Sequence, residues 1–304
     1  MDLRDYITAF LEFSEIGKNQ SRKTLENYAH YLGRFSKFAG KIEPREITLD
    51  LIQRFRLHLN RLIDPRTKNS LSSKTQAYHL IALRAFLKYL AKNDIPSLAP
   101  EKVDLPKIPG RTVEFLTREE VERLFFAVDL SKEIGLRDRA ILETLFSTGL
   151  RVSELVSLNR AQVDLKRREF MVRGKGQKPR IIFLSTSAVA KISAWLEVRE
   201  DNFAPLFLNL GRNRKKGEIS SGEHRRLTAW SIASIVRKYA SQAGIIKKVT
   251  PHTMRHSFAT GLLNEGADIR SVQEMLGHAS ITTTQVYTHV TNKKLREVHE
   301  KFHR

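Results

Sequence analysis

A proline-rich stretch over residues 94–111 divides this chain into two parts. It contains Pro96, Pro100, Pro106 and Pro109. Proline fixes the backbone φ angle and cannot continue a helix, so no helix passes through this stretch. A chain of 304 residues is also long enough for two domains. The sequence therefore predicts a helical domain over residues 1–93, a semi-rigid linker over 94–111 and a second domain over 112–304.

Before the linker, apolar residues recur at the three- and four-residue steps of amphipathic helices. Ser21, Thr48 and Ser72 or Ser73 precede three of these patterns and are suited to cap the helices that follow. We predict four helices, over residues 3–16, 21–39, from Thr48 to about 60, and from Ser72 or Ser73 to about 93.

After the linker, the pattern is mostly helical with one exception. Thr117 and Glu120 form a capping box, and helices are predicted over 136–147, 152–159, 186–200, 228–243, 251–264, 268–276, 281–289 and 292–302. Two short apolar runs, 169–173 and 179–184, flank a glycine-containing turn and indicate a β-hairpin. A polar, basic segment over 211–226 is predicted to be a loop. The fold class is therefore mainly α with a small antiparallel sheet.

The charge of the chain narrows its partners. Lys and Arg outnumber Asp and Glu by 53 to 33, giving a net charge of +20, and the excess is +7 in residues 1–110 and +13 in 111–304. A basic surface on both halves indicates that the partner is a polyanion such as nucleic acid, although a solvated basic surface is the alternative.

Cysteine is absent, which excludes disulfides and thiolate metal sites. No long apolar run suits a membrane span, and acids near the N-terminus argue against a secretory signal, so we expect a cytoplasmic protein.

Two histidines and an arginine lie near the start of a predicted helix. His252 and Arg255 are three residues apart and follow Pro251, which suits phosphate binding at a helix N-terminus, or an ordinary basic turn. His256 follows His252 at four residues, a metal-ligand spacing. No further ligand pattern accompanies this pair, so we predict no metal.

Three further candidates have ordinary structural alternatives when each is taken alone. Arg151 follows a glycine at the start of a helix, where Glu154 would aim it at a phosphate oxygen or form a local surface pair. Lys175 lies between two glycines at a predicted hairpin tip and would otherwise be a solvated turn residue. Tyr287 would otherwise be a half-buried packing residue.

Together these residues resemble the active site of a known family. The motifs are TGLRVSEL (148–155), RGKGQKPR (173–180), HTMRHSFAT (252–260) and LGHASITTTQVYTHV (276–290). In this order they resemble the arginine, lysine, His-x-x-Arg, histidine and tyrosine of the tyrosine recombinases, also called phage-integrase-type recombinases, of the Xer-like two-domain kind. Residues 21–35 also resemble the family's DNA-clamping, SAM-like domain. The resemblance covers most of the second domain.

The resemblance implies DNA strand exchange without net hydrolysis. Tyr287 would attack a backbone phosphate, giving a 3′-phosphotyrosyl link and a free 5′-hydroxyl. This link retains the energy of the phosphodiester, so no ATP is needed, and no metal or other cofactor is expected.

The family's roles are carried onto the matching residues of this chain. Arg151 and Arg255 would neutralise the transition state, and His278 would donate to the same oxygens. His252 would be the acid–base partner of the tyrosine hydroxyl. Lys175 would protonate the departing 5′-oxygen.

The resemblance also implies DNA contacts and partners. The second and fourth helices would lie at the major groove of a specific double-stranded site, with Arg22, Lys23, Lys74 and Arg84 as candidate contacts; solvated surface charge is the alternative for each. A homotetramer, or a heterotetramer with a second recombinase, would form the synaptic complex, and a DNA translocase would be a further partner. The helix predicted over 292–302 would be donated to a neighbouring protomer or would dock on its own domain.

Several biological roles fit this resemblance. The compact, two-domain layout of the chain favours Xer-like resolution of chromosome or plasmid dimers, which serves chromosome partition at cell division. Integration or excision of a mobile element is the alternative within the same chemistry, and a type IB topoisomerase-like activity shares it. A non-catalytic, architectural DNA-binding protein is the alternative of a different class, and it would be expected to have lost one of the six positions.

Overall fold

The computed structural model describes residues 2–64, 68–106, 114–173, 179–211, 221–277, 280 and 284. The chain separates into two compact units, Met1–Arg111 and Thr112–Arg304. Within the described residues both units consist mainly of α-helices, and the sheet that is seen has two antiparallel strands. The predicted fold class is confirmed.

The first unit contains the four helices that the sequence predicted. Ser21, Thr48 and Ser72 each accept a hydrogen bond from the backbone N–H three residues further on, and so cap three of these helices. The helices are α1 (Leu3–Ile16), α2 (Arg22–Ala39), α3 (Leu49–Arg61) and α4 (Ser73–Lys92).

Phenylalanines form the centre of the first unit. Phe10 of α1, Phe35 of α2, Phe55 of α3 and Phe86 of α4 are all fully buried. Phe10 meets the edge of Phe86 with ring centroids 5.7 Å apart, and Phe35 meets Phe55 at 5.1 Å. Each helix therefore contributes an aromatic ring to one core, which fixes how the helices pack.

The segment predicted as a linker is partly packed on the first unit. Residues Pro100–Lys102 form a short 3₁₀ turn, Val103 is 1% exposed, and Ile95 and Leu98 pack against the same core. Proline excludes an α-helix here, but it leaves apolar side chains able to pack. The structure thus gives residues 94–103 to the first unit, where the sequence predicted a linker from residue 94. Residues 107–111 lie outside the described residues.

The second unit follows the predicted order of elements, with shifted ends. Its described helices are α5 (Arg118–Phe126), α6 (Glu133–Thr148), α7 (Val152–Ser157), α8 (Thr186–Glu197), α9 (Ala229–Gln242), α10 (Pro251–Asn264) and α11 (Ile269–Leu276). α6 begins three residues earlier than predicted, and α8 ends three residues earlier.

α7 ends two residues before its predicted end, and a distant side chain donates to the carbonyls there. The Arg226 Nη1 donates to Val156 O at 2.7 Å and to Leu158 O at 3.1 Å. This arginine belongs to the segment 211–226 that was predicted to be a loop. Of that segment, residues 212–220 lie outside the described residues, and Glu223–Arg225 form a short 3₁₀ turn.

The hairpin consists of β1 (Glu169–Arg173) and β2 (Pro179–Phe183). Its inward face carries the pairs Phe170 with Ile182 and Val172 with Arg180. Phe170, Ile182 and Val172 are buried in the core of the second unit. Arg180 is therefore a charged residue on the inward face of the sheet.

A large apolar core holds the second unit together around α6, which packs against α8 and α10. Trp195 of α8 is fully buried, and its indole N–H donates to Leu206 O at 2.8 Å. The buried indole thus has its polar atom satisfied. No helix among the described residues is long and apolar enough to cross a lipid bilayer.

A buried ionic network also lies in this unit. The Asp138 carboxylate accepts from Arg137 Nη2 at 2.6 Å and from the Tyr239 hydroxyl at 3.0 Å, while Arg137 Nη1 donates to Leu208 O at 2.9 Å. The side chains of Arg137 and Asp138 are 6% and 2% exposed. A charged pair so shielded from water is costly to break.

We therefore expect Asp138→Ala to lower the free energy of unfolding of the second unit by about 3–5 kcal/mol, since it leaves a buried guanidinium without its carboxylate. Both tryptophans, Trp195 and Trp230, belong to this unit, so fluorescence during urea unfolding reports on it. Glu122→Ala is the control, because its pair with Arg118 is exposed and should contribute less than about 1 kcal/mol. Equal losses in the two variants would contradict the assignment.

Candidate active site

The turn between α6 and α7 places Arg151. Gly149 adopts a left-handed φ of 59°, and a Cβ there would lie 2.5 Å from Phe258 Cδ1, so both conformation and space favour glycine. Leu150 is then fully buried, and Arg151 becomes the residue that precedes α7. Its backbone N–H donates to Glu154 Oε2 at 2.8 Å.

Glu154 is the acid shared by two arginines. Its Oε1 accepts from Arg151 Nη1 at 2.9 Å and from Arg180 Nη1 at 3.0 Å, and its Oε2 accepts from Arg180 Nη2 at 2.8 Å. The sequence predicted the Arg151–Glu154 pair, and the structure brings these two residues together. The Glu154 side chain is only 7% exposed, so the arrangement is more than a surface ion pair.

The environment keeps the Glu154 carboxyl ionised. Burial alone acts to raise its pKa, but the hydrogen bonds from the Arg180 side chain and the Arg151 backbone, together with the charge of Arg180, outweigh it. The net effect is a pKa below the usual value of 4.5. The carboxylate is therefore an anionic anchor for both guanidinium groups at neutral pH.

Arg255 is held on the inner side of α10. Thr250 caps this helix. Pro251 is its first residue, as predicted. The Arg255 side chain is buried, with 2% of the residue exposed. Its Nη1 donates to Gly149 O at 2.6 Å and its Nη2 donates to Leu276 O at 2.7 Å.

The carboxyl end of α11 is where the three arginines meet. Its last carbonyl oxygens each accept from one guanidinium: Met275 from Arg180 at 3.2 Å, Leu276 from Arg255 at 2.7 Å, and Gly277 from Arg151 at 3.1 Å. The end of a helix carries partial negative charge and carbonyls that lack intrahelical partners, so cations are stabilised there. The two arginines predicted from distant motifs are thus brought to one place, directly before His278 in the sequence.

His252 is an exposed residue in the first turn of α10, three residues before Arg255. Its ring and that of His256 are in edge-to-face contact, with centroids 4.1 Å apart. In the parts of the chain that the structure describes, no group of three His, Asp or Glu side chains is placed to hold a metal ion.

Three of the six predicted catalytic residues, Lys175, His278 and Tyr287, lie outside the described residues. Their positions are set by the sequence alone: Lys175 falls between β1 and β2, and His278 follows Gly277. The helices predicted over 281–289 and 292–302 also fall there, apart from residue 284, which is described as helical. Their placement in the site stays a prediction.

The predicted DNA contacts of the first unit are on α2 and α4. Arg22 and Lys23 lie in the first turn of α2, and both pair with Glu26, at 3.5 Å and 3.0 Å. Lys74 lies over an aromatic ring one turn further along α4, with its Nζ 5.9 Å from the ring centroid. Arg84 is half-buried on the same helix. None of these contacts tests a role in DNA binding, which stays a prediction.

No role is predicted for Arg180 from the sequence, although it ends the RGKGQKPR motif. One signal was available in the pattern of the hairpin. Alternation along β2 places residue 180 on the same face as the apolar Ile182, and an arginine on an inward face requires a buried acidic partner. The identity of that partner, Glu154, depends on a contact between residues 26 positions apart.

The chain matches two models of known families. The phage integrase family matches residues 114–294, and the phage integrase SAM-like domain matches residues 2–103. The chain is 37% identical to a tyrosine recombinase XerC from Pelotomaculum thermopropionicum, over 98% of this chain and 97% of the relative. It is 39% identical to the XerC of Thermodesulfovibrio yellowstonii, over 98% and 96%.

Solved structures give the same fold. The crystal structure of a XerA recombinase is 30% identical and has a TM-score of 0.53, with 99% of each chain covered. A XerH site-specific recombinase in a post-cleavage complex with a palindromic substrate has a TM-score of 0.71. That alignment covers 96% of this chain and 83% of the other at 23% identity, so it supports the fold alone.

The chain therefore belongs to the phage integrase family, in which it is a Xer-like tyrosine recombinase, an enzyme that cleaves and rejoins DNA in site-specific recombination.

The lowered pKa of Glu154 predicts how stability depends on pH. The folded state favours the ionised carboxyl, so its contribution is complete above about 4.5 and is lost as the pH falls through the lower folded pKa. At neutral pH, Glu154→Gln should lower the free energy of unfolding of the second unit by about 2 kcal/mol, through weaker hydrogen bonds to the arginines. Urea unfolding followed by tryptophan fluorescence should show this difference shrinking below pH 4.5. A difference that stays constant over this acidic range would contradict the prediction.

Proposed function

We propose that Tyr287 of this chain attacks a DNA phosphate and forms a 3′-phosphotyrosyl link, releasing a 5′-hydroxyl. A phenol has a pKa of about 10 and leaves more readily than an alkoxide, so the hydroxyl of a partner strand can reverse the attack. The phosphodiester is broken and reformed without net hydrolysis, and no ATP or metal enters the balance. In the first step the bond from phosphorus to the tyrosine oxygen forms as the bond to the departing 5′-oxygen breaks. In the second step the bond to the incoming 5′-oxygen forms as the bond to the tyrosine oxygen breaks.

The single observation that carries this proposal is the convergence of Arg151 and Arg255 on adjacent carbonyls of one helix end. The phosphorane-like transition state gains negative charge on its non-bridging oxygens, and guanidinium groups already held in place stabilise it without reorganisation. The side chain of Arg151 is 33% exposed, which suits an approach by DNA from solvent.

The remaining roles follow the order of the motifs. We assign Lys175 as the general acid for the departing 5′-oxygen and His278 as a donor to the non-bridging oxygens. We assign His252, exposed at the start of α10, as the acid–base partner of the Tyr287 hydroxyl. Glu154 acts by orienting Arg151.

For the assembly, we propose that the first unit grips DNA through α2 and α4 while the second carries out the chemistry. Arg22, Lys23, Lys74 and Arg84 are the proposed contacts on the first unit. Four protomers, of one or two kinds, would synapse two DNA sites in the cytoplasm, with a translocase as a further partner.

The biological role we propose is the resolution of chromosome or plasmid dimers, supported by similarity over nearly full length to relatives named XerC. Mapping covalent protein–DNA junctions across the genome would reveal one replicon-borne site, whereas junctions at the ends of a mobile element would contradict this role.

Tyr287→Phe should abolish the covalent adduct on a nicked suicide substrate and leave DNA binding intact, because only the nucleophilic oxygen is removed. The adduct is measured by denaturing electrophoresis. Tyr239→Phe is the matched control, since it removes a phenol that is hydrogen-bonded to Asp138 and should keep the adduct. Persistent adduct in Tyr287→Phe would remove this residue from the role of nucleophile.

Lys175→Ala should slow cleavage by roughly 10²- to 10⁴-fold, the usual contribution of a general acid. A substrate with sulfur at the bridging 5′ position has a leaving group that needs no protonation, so it should restore the rate. Lys178→Ala, three residues further along the motif, serves as the control and should cleave both substrates like the wild type. If sulfur fails to restore cleavage by Lys175→Ala, the proton donor must be sought elsewhere.

A further inference from the structure

Arg180 is the charged residue on the inward face of the hairpin. It lies on β2 opposite Val172, five residues after Lys175, and its side chain is 10% exposed. It is outside the set of six residues to which the chemistry is assigned. An arginine so placed requires a specific set of acceptors, and the structure provides them.

The guanidinium of Arg180 joins three separate parts of the second unit. Two of its nitrogens hold both carboxylate oxygens of Glu154, at 3.0 Å and 2.8 Å. Its Nε donates to Met275 O at 3.2 Å, near the end of α11. One side chain thus connects the strand that follows Lys175, the helix that begins after Arg151 and the helix end that precedes His278.

This arrangement couples Arg180 to Arg151 through a shared atom. Glu154 Oε1 accepts from both side chains, and Glu154 Oε2 accepts from Arg180 and from the Arg151 backbone N–H. Loss of Arg180 would remove two of these four bonds and leave each carboxylate oxygen with one bond, to Arg151 itself. The orientation of the Arg151 guanidinium would then depend on a less fixed partner.

The space around Arg180 is also matched to a guanidinium. Gly277 has a left-handed φ of 63°, and a Cβ at this position would lie 2.9 Å from Arg180 Nη1. The glycine leaves room for the guanidinium beside the end of α11. A lysine in place of Arg180 would supply charge but not the planar fork that holds both oxygens and a carbonyl.

We propose that Arg180 is a positioning residue for DNA cleavage: through Glu154 and the end of α11 it holds the Arg151 guanidinium in the geometry that the scissile phosphate requires. This inference rests on the proposed function, in which Arg151 neutralises the transition state. Arg180 itself need not touch the DNA.

The first test measures cleavage and binding separately. Arg180→Ala and Arg180→Lys should each slow single-turnover adduct formation on the nicked suicide substrate by roughly 10- to 100-fold, since small displacements of a catalytic group carry such costs. Their affinity for the same DNA should stay close to that of the wild type. Cleavage at the wild-type rate by Arg180→Ala would overturn the proposal, as would full recovery in Arg180→Lys.

The second test asks whether Arg180 acts through Arg151. In a double-mutant cycle, Arg180→Ala combined with Arg151→Ala should cleave about as slowly as Arg151→Ala alone, because the residue to be positioned is already missing. Fully additive losses would overturn the proposal. Sulfur at the bridging 5′ position should not restore Arg180→Ala; restoration would assign the loss to proton donation by Lys175 instead.

A matched control separates positioning from general stability. Arg139 forms a comparable shielded pair with Glu143 at 2.8 Å and belongs to the same unit. Arg139→Ala should lose stability to a similar extent and still form adduct at the wild-type rate below its unfolding temperature. Equal slowing in Arg139→Ala and Arg180→Ala would show a structural role only.

If the wild type itself forms no adduct, the proposed function fails. If the wild type forms adduct and Arg180→Ala forms it at the same rate, only the present inference fails.

Discussion

The carboxyl end of α11 is the feature on which the candidate site depends. Three successive carbonyl oxygens, of residues 275 to 277, accept hydrogen bonds from Arg180, Arg255 and Arg151. These arginines come from β2, from α10 and from the turn before α7. Because a helix end offers unpaired acceptors and partial negative charge, it can collect cations that would otherwise repel one another. The helix end thereby assembles residues that lie far apart along the chain.

The same contacts explain how the site can be stable without DNA and still suit an anion. Arg151 and Arg180 share the single negative charge of Glu154, and the helix end adds only partial charge. Among these described groups the balance is positive, and burial weakens the screening of that charge by solvent. A phosphate entering this field would meet donors that are already oriented. The free energy for their orientation has been supplied by folding rather than by binding.

Local features were predictable from the sequence, and long-range ones were not. Thr48 and Thr117 cap their helices as predicted, since a cap depends on residues three positions apart. The bonds to the carbonyls at the end of α7 come from Arg226, about 70 residues away, and the burial of Val103 depends on packing against the first unit. Arg151 and Arg255 were identified through motifs, whereas no motif indicated that Arg180 shares Glu154. Tertiary contacts of this kind leave only indirect traces in sequence patterns.

The geometry around residue 277 links positions that the chemistry alone would treat as independent. A side chain at Gly277 would both strain the left-handed backbone and collide with Arg180, and a collision there would displace the guanidinium from Glu154. Gly149 limits the space beside Arg255 in a similar way. A Cβ at Gly149 would collide with the Phe258 side chain and approach Leu276, whose carbonyl oxygen accepts from Arg255. Two glycines therefore allow the close approach of backbone and guanidinium that the site requires. Substitutions at either glycine would act on the arginines without touching the reacting atoms.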